Sequence, residues 1–250
     1  MFTPLRRLPF ALLLSFLPFT AHAASEQPMQ LFLLIGQSNM AGRGPVEPED
    51  KVVHPRVFML TKDLAWAPAT DPMHFDKAIA GVGPGASFAR TLAEAEPGVT
   101  IGLIPAAVGG TSLDQWKPGG ALYTAAVTRA REAMKQGRLA GILWHQGESD
   151  SASAKASTYA TRFAAMIAQL RTDLNAPDVP LIVGETGRFR VDAPEINAVL
   201  ATLPRTVSHC AFVSSEGLTD KGDKLHFDSK SARELGRRYA RAWLALTGGK

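Results

Sequence analysis

Short apolar runs alternate with longer helix-type patterns along most of this chain, and this alternation most constrains the fold. The runs that predict strands are residues 30–35, 56–60, 100–105, 140–145, 180–184 and 211–214. The patterns that predict helices are residues 86–96, 121–136, 156–175, 194–202 and 229–246. Such alternation indicates βαβ units and a parallel sheet. We therefore predict an α/β fold, a three-layer α/β/α sandwich with a mostly parallel sheet.

The first 23 residues carry the features of a secretory signal peptide. Arg6 and Arg7 form a positive region, residues 8–20 are mostly apolar, and Ala21-His22-Ala23 matches an A-x-A cleavage site. The alternative is a membrane anchor, but the apolar stretch is short for a span, which needs about 20 residues. We expect cleavage near Ala23 and export to the periplasm or the medium. Residues 24–250 are then expected to form a single domain without a membrane span.

Charge and cysteine content narrow the classes of function. The chain has 27 Lys and Arg against 23 Asp and Glu, and two of these arginines lie in the leader. This small excess is not the signature of a protein that binds nucleic acid. Cys210 is the single cysteine, so no intramolecular disulfide forms, and a buried structural thiol is the expected role. The histidines lack the clustered spacing of a zinc site, and no metal or cofactor is expected.

Two polar blocks at opposite ends of the chain suggest a serine hydrolase. Gly36-Gln37-Ser38-Asn39 directly follows the first apolar run, so a hydroxyl lies at the carboxyl end of a strand, where open α/β sheets form their sites. Met40 replaces the last glycine of G-x-S-x-G, which excludes that nucleophile elbow. Asp223-Lys224-Leu225-His226 supplies an acid and a base three residues apart. Helix capping by Ser38 and a turn role for Asp223 are the structural alternatives.

A glycine pair follows the third predicted strand. Gly109 and Gly110 lie in the block 107–112, and either backbone amide is a candidate second donor to an oxyanion, with Gly110 favoured. An ordinary tight turn is the alternative. Trp116 lies shortly afterwards, either as a platform for a sugar ring or as a core residue.

A dense polar block, Trp144-His145-Gln146-Gly147-Glu148-Ser149-Asp150, follows the fourth predicted strand. The Gln146 side-chain amide is a candidate third donor to the oxyanion. His145 has no acid at a short spacing behind it, so it is a weaker candidate for the general base. Glu148 is expected to bind neighbouring polar groups, and Glu185 is a further carboxylate at the same edge of the sheet.

These four blocks resemble those of the SGNH hydrolases. GQSN and WHQGESD resemble most closely the sialate O-acetylesterase-like branch, which is carbohydrate esterase family 6. The resemblance extends over about residues 30–246. The third block of the wider superfamily normally carries Asn, whereas this chain has Gln146, as this branch does. The resemblance implies the flavodoxin-like sandwich that those enzymes share.

The resemblance also implies a mechanism. Ser38 would be the nucleophile, His226 the general base and Asp223 the acid that orients His226, with Glu185 as a rival for the acid. The implied oxyanion donors are the Ser38 amide, the Gly110 amide and the Gln146 side chain. The implied reaction is hydrolysis of acetyl esters on a carbohydrate, without metal or cofactor.

Other functions stay open at this stage. A lipase or thioesterase would need a long apolar acyl channel, and the loop-rich insertion expected over residues 43–85 shows no sustained apolar run to build one. A non-catalytic carbohydrate-binding protein would need a degenerate site, whereas all three triad residue types are present. The sequence identifies neither the sugar, with sialic acid and xylan both open, nor the oligomeric state.

Overall fold

The sheet follows the predicted strands closely. In a computed structural model, which describes residues 28–249, the strands are β1 Met29–Gly36, β2 Val57–Leu60, β3 Trp66–Pro68, β4 Ile101–Pro105, β5 Gly137–His145, β6 Leu181–Gly184 and β7 Cys210–Val213. The short edge strand β3 was not predicted. The expected signal peptide lies outside the described residues.

The described strands form a doubly wound sheet in the order β3-β2-β4-β1-β5-β6-β7. All neighbours are parallel except β2 and β3, which pair antiparallel. The chain leaves β1 towards β2 and β4 on one side and later crosses to β5 on the other. The carboxyl end of β1 is therefore a topological switch point, where open α/β sheets form a crevice.

Helices cover both faces of the sheet. They are α1 Ser38–Ala41, α2 Gly85–Ala95, α3 Ala121–Ala133, α4 Ser153–Asp173, α5 Pro194–Thr206 and α6 Ser229–Thr247, with 3-10 helices at Pro48–Lys51, Leu113–Trp116 and Glu148–Asp150. The central strand shows the layering, because Leu31, Leu33 and Ile35 pack under α3, α4 and α5, whereas Phe32 and Leu34 pack under α2 and α6. The predicted three-layer α/β/α fold is confirmed.

Helix ends depart from the prediction in physically simple ways. We expected the fourth long helix to end at residue 202, but α5 continues to Thr206 and contains Pro204. A proline this close to the end removes only one helical hydrogen bond. Helix α6 begins as expected, with the Asp228 side chain accepting a hydrogen bond from the Ser231 N–H as the N-cap.

The insertion between β1 and α2 is ordered and lies against the body of the domain. It contains β2 and β3 and is fastened to α6, because Arg233 on that helix donates to both Asp50 carboxylate oxygens at 2.8 Å. A bridge between Gly44 and Val82 closes its base. Over residues 28–249, no helix has both the length and the apolar character that crossing a bilayer requires.

Candidate active site

Ser38 lies at the switch point, on the turn that joins β1 to α1. Gly36 makes this turn possible, because it adopts φ +126° and a Cβ there would lie 2.1 Å from the His145 carbonyl oxygen. Ser38 is the first residue of α1, and backbone N–H groups at the first turn of a helix have no partner within the helix. Both its hydroxyl and its amide are therefore available to a ligand at the sheet edge.

Asp223, His226 and Ser38 form a hydrogen-bonded chain. Asp223 Oδ2 lies 2.7 Å from His226 Nδ1, and His226 Nε2 lies 3.0 Å from Ser38 Oγ. An ionised carboxylate only accepts, so Nδ1 carries a proton and Nε2 turns its lone pair to the serine hydroxyl. This tautomer is the one that a general base requires.

The turn that carries Asp223 also fixes its charge. Asp223 Oδ1 accepts hydrogen bonds from the backbone N–H groups of Leu225 at 3.0 Å and His226 at 2.8 Å. Partial burial opposes ionisation, but the hydrogen bonds from the backbone and ring of His226 and from Leu225 N–H outweigh it. They hold the pKa of Asp223 well below its ordinary value.

The two glycines of the pair differ in what surrounds them. The Gly109 N–H donates to Asp76 Oδ2 at 2.8 Å, so this amide is already engaged. The same carboxylate oxygen accepts from Arg43 Nη2 at 2.6 Å, and both side chains of this ion pair are buried. Gly110, which adopts φ +81°, lies exposed on the wall of the cleft beside Ser38.

Gln146 does not reach the cleft, which corrects its expected position as an oxyanion donor. Its side chain is fully buried, and its amide nitrogen donates to Asp150 Oδ2 at 2.6 Å, Gln37 Oε1 at 3.1 Å and the Thr111 carbonyl at 3.2 Å. Two N–H groups shared among three acceptors leave none for a substrate. The Tyr159 hydroxyl donates to Gln146 Oε1 at 2.7 Å and fixes this orientation of the side chain.

Gln37 is a cleft residue that sequence reasoning missed. Its side-chain oxygen, Gln37 Oε1, accepts from Gln146 Nε2 and, at 3.3 Å, from the Ser149 N–H. A backbone N–H can only donate, so the carbonyl end of the amide must face inward. Gln37 lines the cleft beside Ser38, and the nitrogen end of its amide is left to face a ligand. Its position directly before Ser38 is the one sequence feature that could have identified it as a cleft residue.

Glu185, the rival acid, is held away from His226. Its carboxylate accepts from Arg188 Nε at 3.0 and 3.1 Å, from Ser214 Oγ at 3.0 Å and from the Ser215 N–H at 2.7 Å. These contacts tie the end of β6 to the end of β7. The structure brings Asp223, and not Glu185, to the imidazole of His226.

His145 and Trp116 are interior residues. His145 is fully buried and its Nδ1 lies 3.2 Å from Tyr239 Oη, and burial lowers its pKa against the opposing effect of Glu148. Trp116 is 1% exposed and packs edge-on against Trp144, so it is not a platform for a sugar. The core alternative for Trp116 holds.

A cleft of about 250 Å³ opens over Ser38 and His226. Its other walls are formed by Gln37, Arg43, Lys77, Ile79, Gly109, Gly110, Glu148, Ser149, Arg190 and Leu225. Depressions of about 380 to 480 Å³ lie elsewhere on the surface and contain none of the three triad residues. The chemistry of the lining side chains, rather than volume, therefore marks the site. Residues 28–249 contain no group of three or more His, Cys, Asp or Glu side chains that could hold a metal ion.

Comparisons with known proteins show the family to which this chain belongs. The sequence model of a family described as carbohydrate esterase, sialic acid-specific acetylesterase, matches residues 28–245. A probable carbohydrate esterase from Arabidopsis thaliana is 35% identical over 243 residues, covering 87% of this chain and 91% of that protein. An X-ray structure of an Arabidopsis thaliana protein superposes with a TM-score of 0.82 at 32% identity, covering 87% of this chain and 98% of that chain.

More distant solved structures share the fold. NanS superposes with a TM-score of 0.74 at 19% identity, covering 90% of this chain and 99% of that chain. A carbohydrate acetylesterase from Xanthomonas citri superposes with a TM-score of 0.69 at 19% identity, covering 88% of this chain and 57% of that chain.

Proposed function

The chain belongs to the carbohydrate esterases of the sialic acid-specific acetylesterase family, and from this premise we propose that it removes O-acetyl groups from sugars with Ser38 as the nucleophile. Membership of the family makes it a carboxylic ester hydrolase. The observation that carries the proposal is the chain of hydrogen bonds from Asp223 through His226 to Ser38 Oγ, at 2.7 and 3.0 Å.

The proposed reaction has two halves. Ser38 Oγ attacks the acetyl carbonyl carbon while His226 Nε2 takes the hydroxyl proton, and the imidazolium is stabilised by Asp223. The C–O bond to the sugar then breaks, and His226 returns its proton to the departing sugar oxygen. Water attacks the acetyl-serine, with His226 again taking a proton, and acetate leaves as the serine hydroxyl is restored.

Three donors are proposed for the oxyanion. The Ser38 and Gly110 backbone N–H groups lie at the first turn of α1 and on the glycine loop, and the Gln37 side-chain amide takes the place expected for Gln146. Donors fixed in advance by the fold stabilise the developing charge without reorganising, and loss of one such donor typically lowers kcat about 100- to 1,000-fold.

The shape and charge of the cleft favour a short acyl group on an acidic sugar. A volume of about 250 Å³ suits acetyl better than a long fatty chain. Lys77, Arg43 and Arg190 line the cleft, but the charges of Arg43 and Arg190 are already balanced by Asp76 and Asp192. Lys77 is therefore the cationic group of this set that is left to a substrate. Cationic side chains of this kind attract a carboxylate on the substrate. Sialic acid, for which the family is described as specific, has a carboxylate.

Export remains part of the proposal. Arg6 and Arg7, the apolar stretch 8–20 and Ala21-His22-Ala23 support a cleaved leader. We expect the N-terminal sequence of protein recovered from the periplasm or the medium to begin near Ala24. A full-length chain retained in the cytoplasm would contradict this.

The test of function is hydrolysis by purified Ser38→Ala and by a matched serine variant. Ser157 is exposed on α4 and does not line the cleft, so Ser157→Ala serves as the control. We expect wild type and Ser157→Ala to hydrolyse p-nitrophenyl acetate, with weak activity on the butyrate and none on the decanoate. Ser38→Ala should lose turnover at an almost unchanged melting temperature.

The panel also separates the alternatives. Preference for decanoate would indicate a lipase-type enzyme, and no turnover by wild type would indicate a carbohydrate-binding protein. Acetate release from O-acetylated sialic acid and from acetylated xylan, compared at equal ester concentration, tests the acidic-sugar assignment. Equal or faster release from xylan would refute it.

A further inference from the structure

We propose that Asn39 is a positioning residue that sets the location of the His226 imidazole relative to Ser38. The proposal rests on the proposed roles of Ser38 and His226 and adds a residue that neither touches substrate nor takes part in proton transfer. Asn39 follows the nucleophile directly in α1, and its side chain reaches the loop that carries the base.

The Asn39 amide holds the backbone on both sides of His226. Its Nδ2 donates to the Leu225 carbonyl at 3.1 Å, and its Oδ1 accepts from the Phe227 N–H at 3.1 Å. The amide is planar, so these two contacts fix the peptide groups before and after the base to one rigid side chain. The turn of the nucleophile and the loop of the base therefore share one anchor.

Glu148 fixes the orientation of that anchor. Asn39 Nδ2 donates to Glu148 Oε1 at 2.6 Å, and the Glu148 side chain is 1% exposed. A carboxylate accepts hydrogen bonds, so the nitrogen end of the Asn39 amide must face it. Glu148 Oε2 has no hydrogen-bond partner within residues 28–249. The contact with Asn39 is thus important for the buried carboxylate as well.

The loop that carries the base needs such an anchor. Residues 220–224 lie largely at the surface, and Gly222 and Lys224 adopt positive φ of 102° and 54°. Asp220 shapes the turn from within, accepting from the N–H groups of Gly222 at 2.9 Å and Lys224 at 2.6 Å. These contacts define the turn but do not join it to β1. The Asn39 contacts make that connection.

The contacts of Asn39 with the loop of His226 are the ones that bear on proton transfer. Asn39 is 3% exposed and does not line the cleft, so removing it should leave substrate binding intact. A displacement of about 1 Å in a catalytic group lowers rate about 100-fold. The expected signature of Asn39→Ala is a kcat at least about 100-fold lower, with KM within twofold of wild type.

Asn197 offers a matched control. It too is a buried asparagine with an amide that bridges backbone, because its Oδ1 accepts from the Thr186 N–H at 3.1 Å and Oγ1 at 2.7 Å, and its Nδ2 donates to the Thr186 carbonyl at 3.1 Å. Asn197→Ala loses a similar set of hydrogen bonds without touching the loop of His226. Its melting temperature should fall as that of Asn39→Ala does, and its kcat should stay within twofold of wild type.

The experiment measures kcat, KM and melting temperature with p-nitrophenyl acetate, at a temperature where each variant is folded by circular dichroism. Asn39→Asp is the second variant if Asn39→Ala does not fold, because it keeps the shape and the acceptor for Phe227 N–H but loses the amide donor. It should lose kcat with KM within twofold of wild type.

Two results would overturn the proposal. One is a folded Asn39 variant with kcat within threefold of wild type. The other is a loss of kcat in Asn197→Ala as large as that in Asn39→Ala, which would mean general destabilisation. A failure of the proposed function looks different from these two results. It would appear as an inactive wild type or an active Ser38→Ala, and it would overturn the proposed function together with the role of Asn39.

Discussion

Exchanging each of two carboxylates for its amide tests which one completes the triad. In Asp223→Asn, the amide keeps the size of the side chain but can present an N–H to His226 Nδ1. The imidazole then accepts at Nδ1 and carries its proton on Nε2, facing Ser38 Oγ, where it cannot act as a base. In Glu185→Gln, the changed group contacts Arg188, Ser214 and Ser215 and not the imidazole.

The expected loss of kcat in Asp223→Asn depends on how exposed the Asp223 side chain is. Replacement of a buried triad aspartate by asparagine lowers kcat about 10⁴-fold. The Asp223 side chain is 36% exposed, so water can supply part of what the carboxylate gives. We expect a loss of about 100- to 1,000-fold in kcat, which corresponds to about 3–4 kcal/mol in activation free energy. Glu185→Gln should stay within threefold of wild type.

The assay is initial-rate kinetics of p-nitrophenyl acetate hydrolysis by the two variants side by side, at a fixed pH near 8. Melting temperatures serve as the control, because the Glu185 side chain is 7% exposed and accepts from Arg188, Ser214 and Ser215, so Glu185→Gln should lower stability without changing the contacts of His226. A collapse of kcat in Glu185→Gln, with Asp223→Asn close to wild type, would refute the reasoning and reverse the assignment.

Three further predictions probe the surroundings of the site. Asp76→Ala removes the acceptor that holds the Gly109 N–H and leaves the buried Arg43 without its ion-pair partner, so kcat should fall at least about tenfold, and an unchanged kcat would contradict this. Burial, and then the neighbouring Asp50, raise the pKa of Asp71 to about 7. The folded protein thus holds this proton more tightly than the unfolded chain, so stability falls as pH rises from about 4 to about 7. Asp71→Asn should raise the melting temperature at pH 8 and not at pH 4. Equal shifts of the melting temperature at the two pH values would show that the raised pKa of Asp71 is not the cause. Burial raises the pKa of the Cys210 thiol to about 12, so Ellman's reagent at pH 8 should label it only in denaturant.

The fold could be predicted from the sequence because each strand is a short apolar run with a helix pattern after it. Six of the described strands agree with the prediction to within three residues at each end. Trp66–Pro68 was missed because three residues are too few to show a period, and an edge strand ending in proline carries no apolar run. The insertion was expected as a loop region over the sheet, but its ion pair between Arg233 and Asp50 joins positions far apart in sequence, which no local pattern encodes.

The family and the residue types of the site could also be predicted from the sequence. The resemblance to the sialate O-acetylesterase-like branch is confirmed by the family match over residues 28–245. Ser38 and the Asp223–His226 pair stood out because a strand end and a D-x-x-H spacing are local signals. Asp76 carried no such signal, since it lies in a loop and acquires its contact with Gly109 only in the folded chain. The roles of all these residues rest on the kinetic tests.

The misplaced oxyanion donor shows what limits an inference from blocks of sequence. A block fixes which strand end a side chain occupies, but not whether the side chain turns to the cleft or to the interior. That direction is decided by competition among acceptors, and Gln146 turns inward because Asp150 and the Thr111 carbonyl are buried with it. Asp150 Oδ2 also accepts from the Leu113 N–H at 2.8 Å, so Gln146 completes a buried network, whereas a donor that faces the cleft can be satisfied by water. Gln146 then donates to Gln37 Oε1, so Gln146, which was expected at the cleft, instead orients the side-chain amide of its cleft-lining neighbour Gln37.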